Sequence, residues 1–324
     1  MPPRPSSFLC TTAPITPRKT IESLSKNTLA RETDLIILSD AEKGDADRQR
    51  VTDVRKFIST VPDRGYFRSV RILEAEQHRG LAGSVIAGVT RVINEAGRVI
   101  VLEDDHVTTP DFLTFMNDAL VRYQSDHRVW SISGYCPPIT LPVDYAESVY
   151  FTYRGSSWGY ATWKDRWDRV DWAVSDYPTF RKSLTARTRF NRGGRDMAQM
   201  LDQQMEGTID SWAIRWCYAQ SKLGALTVYP VHSLVQNIGL DGSGTHSGFA
   251  SQYSVTVGKA PTKADLCDPF LDKRALASFR NMYGTAAQHV RVSVSRLVRK
   301  VIPHRSALNP KASAGHERSA AGQT

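Results

Sequence analysis

No apolar run in this chain is long enough to cross a bilayer, and the opening Met1-Pro2-Pro3-Arg4-Pro5 lacks the apolar core of a secretory signal. Together these absences lead us to expect a cytoplasmic protein. Cysteine is scarce. Cys10, Cys136, Cys217 and Cys267 are scattered without paired spacing, which excludes a zinc or dithiol motif and leaves them as small buried hydrophobes. An organised basic face is missing too. Of the net charge of +9, residues 286–324 supply seven Lys or Arg against one Glu, so the rest of the chain is only +3. With no nucleic-acid module in that body, no nucleic-acid partner is expected. What is present is a globular composition, 41% hydrophobic and 9% aromatic over 324 residues, enough for a sizeable core.

Short β-rich runs alternate with amphipathic segments up to residue 133, the pattern of βαβ units on a mostly parallel sheet. Strands are expected at 34–38, 69–73, 98–102 and 129–132, and helices at 45–60, 81–95 and 110–123. In the last helix Phe112, Phe115, Met116, Ala119, Leu120 and Tyr123 form one apolar stripe. The run Phe8 to Thr12 is a short first strand that stops at Ala13-Pro14. After Gly134 the chain becomes Trp-rich and loop-rich: six of its seven tryptophans fall between Trp158 and Trp216. Three parts are therefore expected: an α/β half over 1–133, an acceptor-side half over 134–260, and an extension over 261–324. Within the extension, 288–302 reads as a basic amphipathic helix suited either to an anionic membrane surface or to packing on the body.

The run Val99-Ile100-Val101-Leu102-Glu103-Asp104-Asp105 carries the chemistry. Adjacent carboxylates repel, so three of them at the end of an apolar strand ask for a hard divalent cation with oxygen ligands, at the edge where open α/β sheets bind their ligands. The structural alternative is that Asp104 or Asp105 caps the following helix. Asp40, just past another strand, is a candidate acceptor for a base or ribose, or else a turn residue. His78 and Arg79, ahead of a helix opening near Leu81, offer donors to a phosphate, or are a solvated surface pair. Asp165, Asp168 and Asp171, spaced among tryptophans, read as a solvated face.

From His78 to Ser133 the sequence resembles the donor half of GT-A fold glycosyltransferases. The residues that carry this are His78-Arg79-Gly80-Leu81-Ala82, Val99 to Asp105, Pro110-Asp111-Phe112 and Trp130-Ser131-Ile132-Ser133. Among them it is similar to the animal N-acetylglucosaminyltransferase I type and to bacterial family 2 sugar transferases. Farther on, Gly155-Ser156-Ser157-Trp158-Gly159-Tyr160 resembles the segment before the family's acceptor region, and Ile209-Asp210-Ser211-Trp212 the stretch bearing its base. The likeness spans about residues 30 to 250. It implies an α/β, GT-A (nucleotide-diphospho-sugar transferase) fold with a mostly parallel central sheet flanked by helices.

By that resemblance Asp105 ligates Mn2+ or Mg2+, Asp104 and Glu103 contact the donor, and Asp40, His78 and Arg79 hold its nucleotide. Asp210 is the base, with an N-cap as its structural alternative. Trp158 and Trp212 lie on the acceptor side, and His246 sits in a Gly-rich lid over 236–246. The implied activity is inverting transfer of a sugar from a nucleotide-diphosphate donor, UDP-sugar favoured, to a glycan or lipid-linked glycan in bacterial surface polysaccharide assembly. The expected location is cytoplasmic, with peripheral membrane contact through 288–302. A glycan-binding relative without catalysis, and a glycoside hydrolase using two carboxylates, are the competing readings.

Overall fold

The computed structural model describes residues 6–11, 17–239, 251–257 and 264–284, all within one unit that ends at Gly284. Residues 240–246 with His246, and the segment 288–302, lie outside the described residues. In chain order the elements are β1 (Ser6–Thr11), α1 (Pro17–Leu24), β2 (Asp34–Ser39), α2 (Asp45–Ile58), β3 (Ser69–Glu74), α3 (Gly80–Ala96) and β4 (Arg98–Glu103). They continue with β5 (His106–Thr108), α4 (Phe112–Arg122), β6 (Val129–Ser133), β7 (Val149–Thr152), β8 (Tyr160–Trp163), α5 (Lys164–Trp167), α6 (Tyr177–Lys182) and α7 (Leu184–Phe190). The last are α8 (Met197–Met205), α9 (Trp212–Leu223), β9 (Leu226–Pro230), β10 (Val235–Asn237) and α10 (Lys273–Met282).

Eight strands form one sheet in the order β3-β2-β1-β4-β8-β6-β9-β7, and β5 pairs with β10 in a separate two-stranded ribbon. The short first strand spans Ser6–Thr11 and is hydrogen-bonded in parallel to β2 on one side and β4 on the other, so it fills the gap between them. Strands β3, β2, β1 and β4 are all parallel, as expected. Beyond β4 the expectation of a mostly parallel sheet needs correction: β8 runs antiparallel to both β4 and β6, and β7 antiparallel to β9, so the sheet is mixed. The reason is connection length. A parallel return needs a long crossover, usually helical, whereas β6 and β7 are joined by a loop alone, which lets the chain reverse, and β8 then runs in the same direction as β7.

Strand β4 is apolar on both faces because both are covered. Ile100 and Leu102 join one core with Leu35 and Ile37 of β2, Val54 and Ile58 of α2, and the stripe of α4. Val99 and Val101 join the other, with Ala82, Val85, Val89 and Val92 of α3. Strand β6 departs from this period of two: Val129 and Ile132, three residues apart, both join the first core while Trp130 joins the second, because the register shifts between Val129 and Ser131. The tryptophan-rich stretch adds Trp167, Trp212 and Trp216 to the second core, where Trp130 of β6 and Trp216 lie 4.7 Å apart between ring centroids, and Trp167 and Trp216 5.1 Å. Asp165, Asp168 and Asp171 stay outside, pairing with Arg166, Lys164 and the backbone of 173–175 respectively.

In the extension, Asp272 caps α10 by accepting from the N–H groups of Arg274 and Ala275 at 2.8 and 2.9 Å. This helix buries Phe279 against Tyr150 of β7 and Tyr229 of β9, so the segment from 264 to 284 packs on the body, past the boundary expected at 261.

The two glycines where β6 ends and β8 begins permit a close crossing: Gly134 N–H donates to Gly159 O at 2.6 Å under Phe112 and Val235. Gly159 has a left-handed φ of 61°, and a Cβ there would stand 2.7 Å from Val235. Gly159→Ala is therefore expected to lower stability by about 1–3 kcal/mol with an unchanged urea m-value, read from the midpoint of equilibrium unfolding.

Candidate functional site

Strands β2 and β3 lie to one side of β1 and β4 to the other, so the strand order changes direction beside β1, where open α/β sheets bind ligands beyond their carboxyl ends. Register puts Ser39 opposite Thr11 and Glu103 opposite Cys10, so Asp40 and the three acids leave the sheet at one edge, two strand spacings or about 10 Å apart. The sheet thus gathers the residues that the sequence pointed to separately.

Asp40 is 5% exposed and already engaged. Its carboxylate accepts from Ala41 N at 3.0 Å and from Arg79 N at 3.1 Å, and His78 Nδ1 stands 3.0 Å from it. His78 Nδ1 also meets Ala41 O at 3.1 Å. Asp40, His78 and Arg79 therefore form one turn at the start of α3, in which Arg79 uses its backbone N–H and leaves the guanidinium to the exposed side.

Asp210 approaches the same helix start, its Oδ2 accepting from Ala82 N at 3.4 Å. It is exposed, and it does not cap α9: Ser211 does that, accepting from Ile214 N at 3.3 Å. Its charge lies instead at the positive end of the α3 dipole. Arg215, one turn into α9, adds a cation nearby; burial lowers its pKa, and the Asp210 charge opposes that shift.

Glu103, Asp105 and His106 present ligand atoms within 4.8 Å of one another. Burial, then the Asp105 and Asp104 charges, push the Glu103 carboxyl well above the usual carboxylate range. Burial lowers the His106 pKa, against the opposing pull of the Asp105 charge. Asp105 Oδ1 and His106 Nε2 are buried 3.4 Å apart, and neither meets a hydrogen-bond partner among the described residues. Crowded, uncompensated carboxylate oxygens of this kind suit a hard divalent cation. Glu103 and Asp105 fit it; His106 does not, since its Nδ1 accepts from Glu103 N at 3.0 Å and a neutral ring must then carry its proton on Nε2.

Neither Asp104 nor Asp105 caps α4; Asn27 serves it, accepting from Leu113 N at 2.9 Å. The acidic turn is instead stapled to α1 and the turn after it. Thr20 Oγ1 donates to Asp104 O at 2.7 Å, Ser23 Oγ accepts from Thr108 N at 3.1 Å, and Asn27 Nδ2 donates to Thr108 Oγ1 at 3.0 Å.

Of the two acceptor-side tryptophans, Trp158 is half-buried and lines a cavity of about 290 Å³ with Tyr135, Arg154, Asp196, Ser211 and Tyr253. Across its floor Arg154 holds Asp196 through two hydrogen bonds of 2.8 and 3.1 Å. Trp212 is corrected: at 2% exposure, against Tyr160 at 5.1 Å and within reach of Trp167, it belongs to the core and offers no face to a sugar. His106 is the site residue that sequence reading missed. The strand β5 that holds it is three residues long, too short for a periodic signal, and only its place directly after the acids marked it.

No protein-family model matches the chain, and no curated protein matches it. Among solved structures it is similar to Staphylococcus aureus TarS residues 1–349, at 11% identity over 70% of this chain and 60% of that one, with a TM-score of 0.35. The same protein in complex with UDP-GlcNAc gives 16% identity over 40% of this chain and 33% of that one, with a TM-score of 0.27. The chain thus spans about 60% of the length of the first TarS structure. Likeness at this level assigns neither family nor activity, which are left to the site itself. Among the described residues no helix is long and apolar enough to cross a membrane.

Asp210→Asn keeps an acceptor for Ala82 N while removing charge from a helix start, where such a charge is worth about 0.3–1 kcal/mol. The variant is expected to unfold within about 1 kcal/mol of the parent in urea; a loss beyond about 2 kcal/mol would make Asp210 a structural residue.

Proposed function

We propose that this chain is a glycosyltransferase that moves a sugar from a nucleotide-diphosphate donor, UDP-sugar favoured, to a carbohydrate hydroxyl with inversion at the anomeric carbon. Its setting is surface polysaccharide assembly at the cytoplasmic side of the membrane, on a glycan or lipid-linked glycan acceptor. The observation that carries this reading is the convergence on one sheet edge of three strand-end carboxylates and, at the helix start beside them, an exposed carboxylate from another part of the chain. A glycoside hydrolase needs two carboxyl groups and has no use for the cation cluster.

Bound there, Mn2+ or Mg2+ would be held by Asp105 with Glu103 and would neutralise charge on the departing diphosphate. Around it the chain's own groups do the rest. The N-terminus of α3 and the Arg79 guanidinium offer positive charge to the nucleotide, while Asp40 fixes the turn that carries both. Trp158 and the cavity beside it supply an apolar face and flanking hydroxyls for the acceptor ring. Asp210 takes the proton of the acceptor hydroxyl as its oxygen bonds to the anomeric carbon and the bond to the diphosphate oxygen breaks. A single displacement with one base inverts the centre.

Calorimetry with UDP-GlcNAc and UDP-glucose, with and without Mn2+, tests the reading. Metal-dependent donor binding is expected, lost on EDTA treatment and in Asp105→Asn. Asp210→Asn is expected to retain donor binding and lose transfer about 100-fold or more, the typical contribution of a general base. Donor binding that ignores metal, or transfer that survives Asp210→Asn, would defeat it.

A further inference from the structure

Histidine directly after the acids is not used by the mechanism above, yet its surroundings are more constrained than those of any acid in the run. The ring is fully buried, and its centroid lies 6.5 Å from that of Trp158, tilted by 59°. Its backbone belongs to the β5–β10 ribbon, in which His106 opposes Asn237. Glu103 N–H donates to Nδ1 at 3.0 Å, so the Nδ1 lone pair is occupied and Nε2 bears hydrogen. Nε2 stands 3.4 Å from Asp105 Oδ1, beyond a formed hydrogen bond, and neither atom has a hydrogen-bond partner among the described residues.

The other carboxylate oxygen of Asp105 lies in a different environment. The Asp105 side chain keeps 24% of its exposure, while Oδ1 keeps essentially none, so of the two oxygens Oδ2 is the one open to an incoming ligand. Gly239 stands against it: a Cβ at that position would lie 2.5 Å from Oδ2, and the preceding residue, Ile238, donates its N–H to Asp105 O at 2.8 Å. One oxygen thus lies beside a buried donor, and the other lies against the Gly239 backbone, which approaches so closely that a side chain at 239 would press on Oδ2.

We propose that His106 is a positioning residue for Asp105, its Nε2–H holding Oδ1 so that Oδ2 is the oxygen presented to a divalent cation. The inference rests on the reading of Asp105 as a cation ligand and adds which oxygen binds and what orients it. Histidine here is a donor to the ligand and not itself a ligand. Outer partners that orient a ligating carboxylate are commonly worth about 10–100-fold in metal affinity.

Two experiments test it on the full chain. The first needs no metal: 15N-histidine NMR of the metal-free protein, with the His106 signal among the eight histidines assigned by its loss in His106→Asn, is expected to show the Nε2–H tautomer. An Nδ1–H tautomer overturns the proposal. The second is titration with Mn2+ alone, free ion being counted by EPR. His106→Asn preserves an acceptor for Glu103 N but has no donor at the Nε2 position, and is expected to bind Mn2+ at least about tenfold more weakly. His106→Gln, which places an amide N–H near the Nε2 position, is expected to stay within about threefold of the parent, by the donor equivalence of the two groups. Parent-like binding by the Asn variant, or equal loss in both, overturns the positioning role. A parent protein that binds no Mn2+ at all defeats the underlying reading instead, and the tautomer, read without metal, keeps the two failures apart.

Discussion

Mutual repulsion among carboxylates at the end of β4 is the constraint around which this structure is organised. Glu103, Asp104 and Asp105 share one strand terminus, and burial together with its neighbours raises the Glu103 pKa. An acidic turn left to itself would splay into solvent. Here it is held from three directions: by the α1 staple through Thr20, Ser23 and Asn27, by the Glu103 N–H bond to His106, and by the β5–β10 ribbon with its Ile238–Asp105 bond. These restraints hold the turn while Asp105 Oδ1 is left without a hydrogen-bond partner among the described residues. A cation there would relieve the repulsion that, after burial, raises the Glu103 pKa.

A second organising point is the N-terminus of α3. Asp40 comes to it from the end of β2, and Asp210 from the far side of the chain, 128 residues beyond the amide it meets. Both meet backbone amides in the first turn, where the helix dipole favours anions. The same physical preference that recruits these two side chains would recruit a phosphate, and the exposed guanidinium of Arg79 adds to it. The same sheet edge therefore carries a negative strand end and a positive helix start, an arrangement suited to a metal-bound diphosphate.

Much of the first half was legible in the sequence because its signals are local. Strand runs such as Val99 to Leu102 and the stripe of α4 read directly as two-sided and one-sided burial, and the acids stand adjacent in the chain. The second half was harder to read. Trp212 was read as an acceptor-side residue, but composition does not tell a ring stacked on a ligand from one stacked on its neighbours, and Trp212 proved to be core. Nor does local pattern reveal β8 inserted antiparallel between β4 and β6, since that pairing joins residues about sixty positions apart. Asp40 was recognised as a site residue, but its occupation by the Arg79 amide is a tertiary fact. His106 belongs to the same class: its meaning comes from the atoms around it, and those are set by a ribbon whose other strand lies over 120 residues away.

The placement of β1 has a consequence for how the molecule is made. Its ladder partners are β2 and β4, one on each side, so a strand that precedes both in the sequence becomes an interior seam and not a border. On the ribosome one flank of that strand waits until residue 39 has emerged and the other until residue 103, and the pairing of β6 with β9 waits until residue 228. Trimming or masking the leading residues would divide the sheet between Asp40 and the acids, whereas comparable surgery at β3 or β7 removes only a margin.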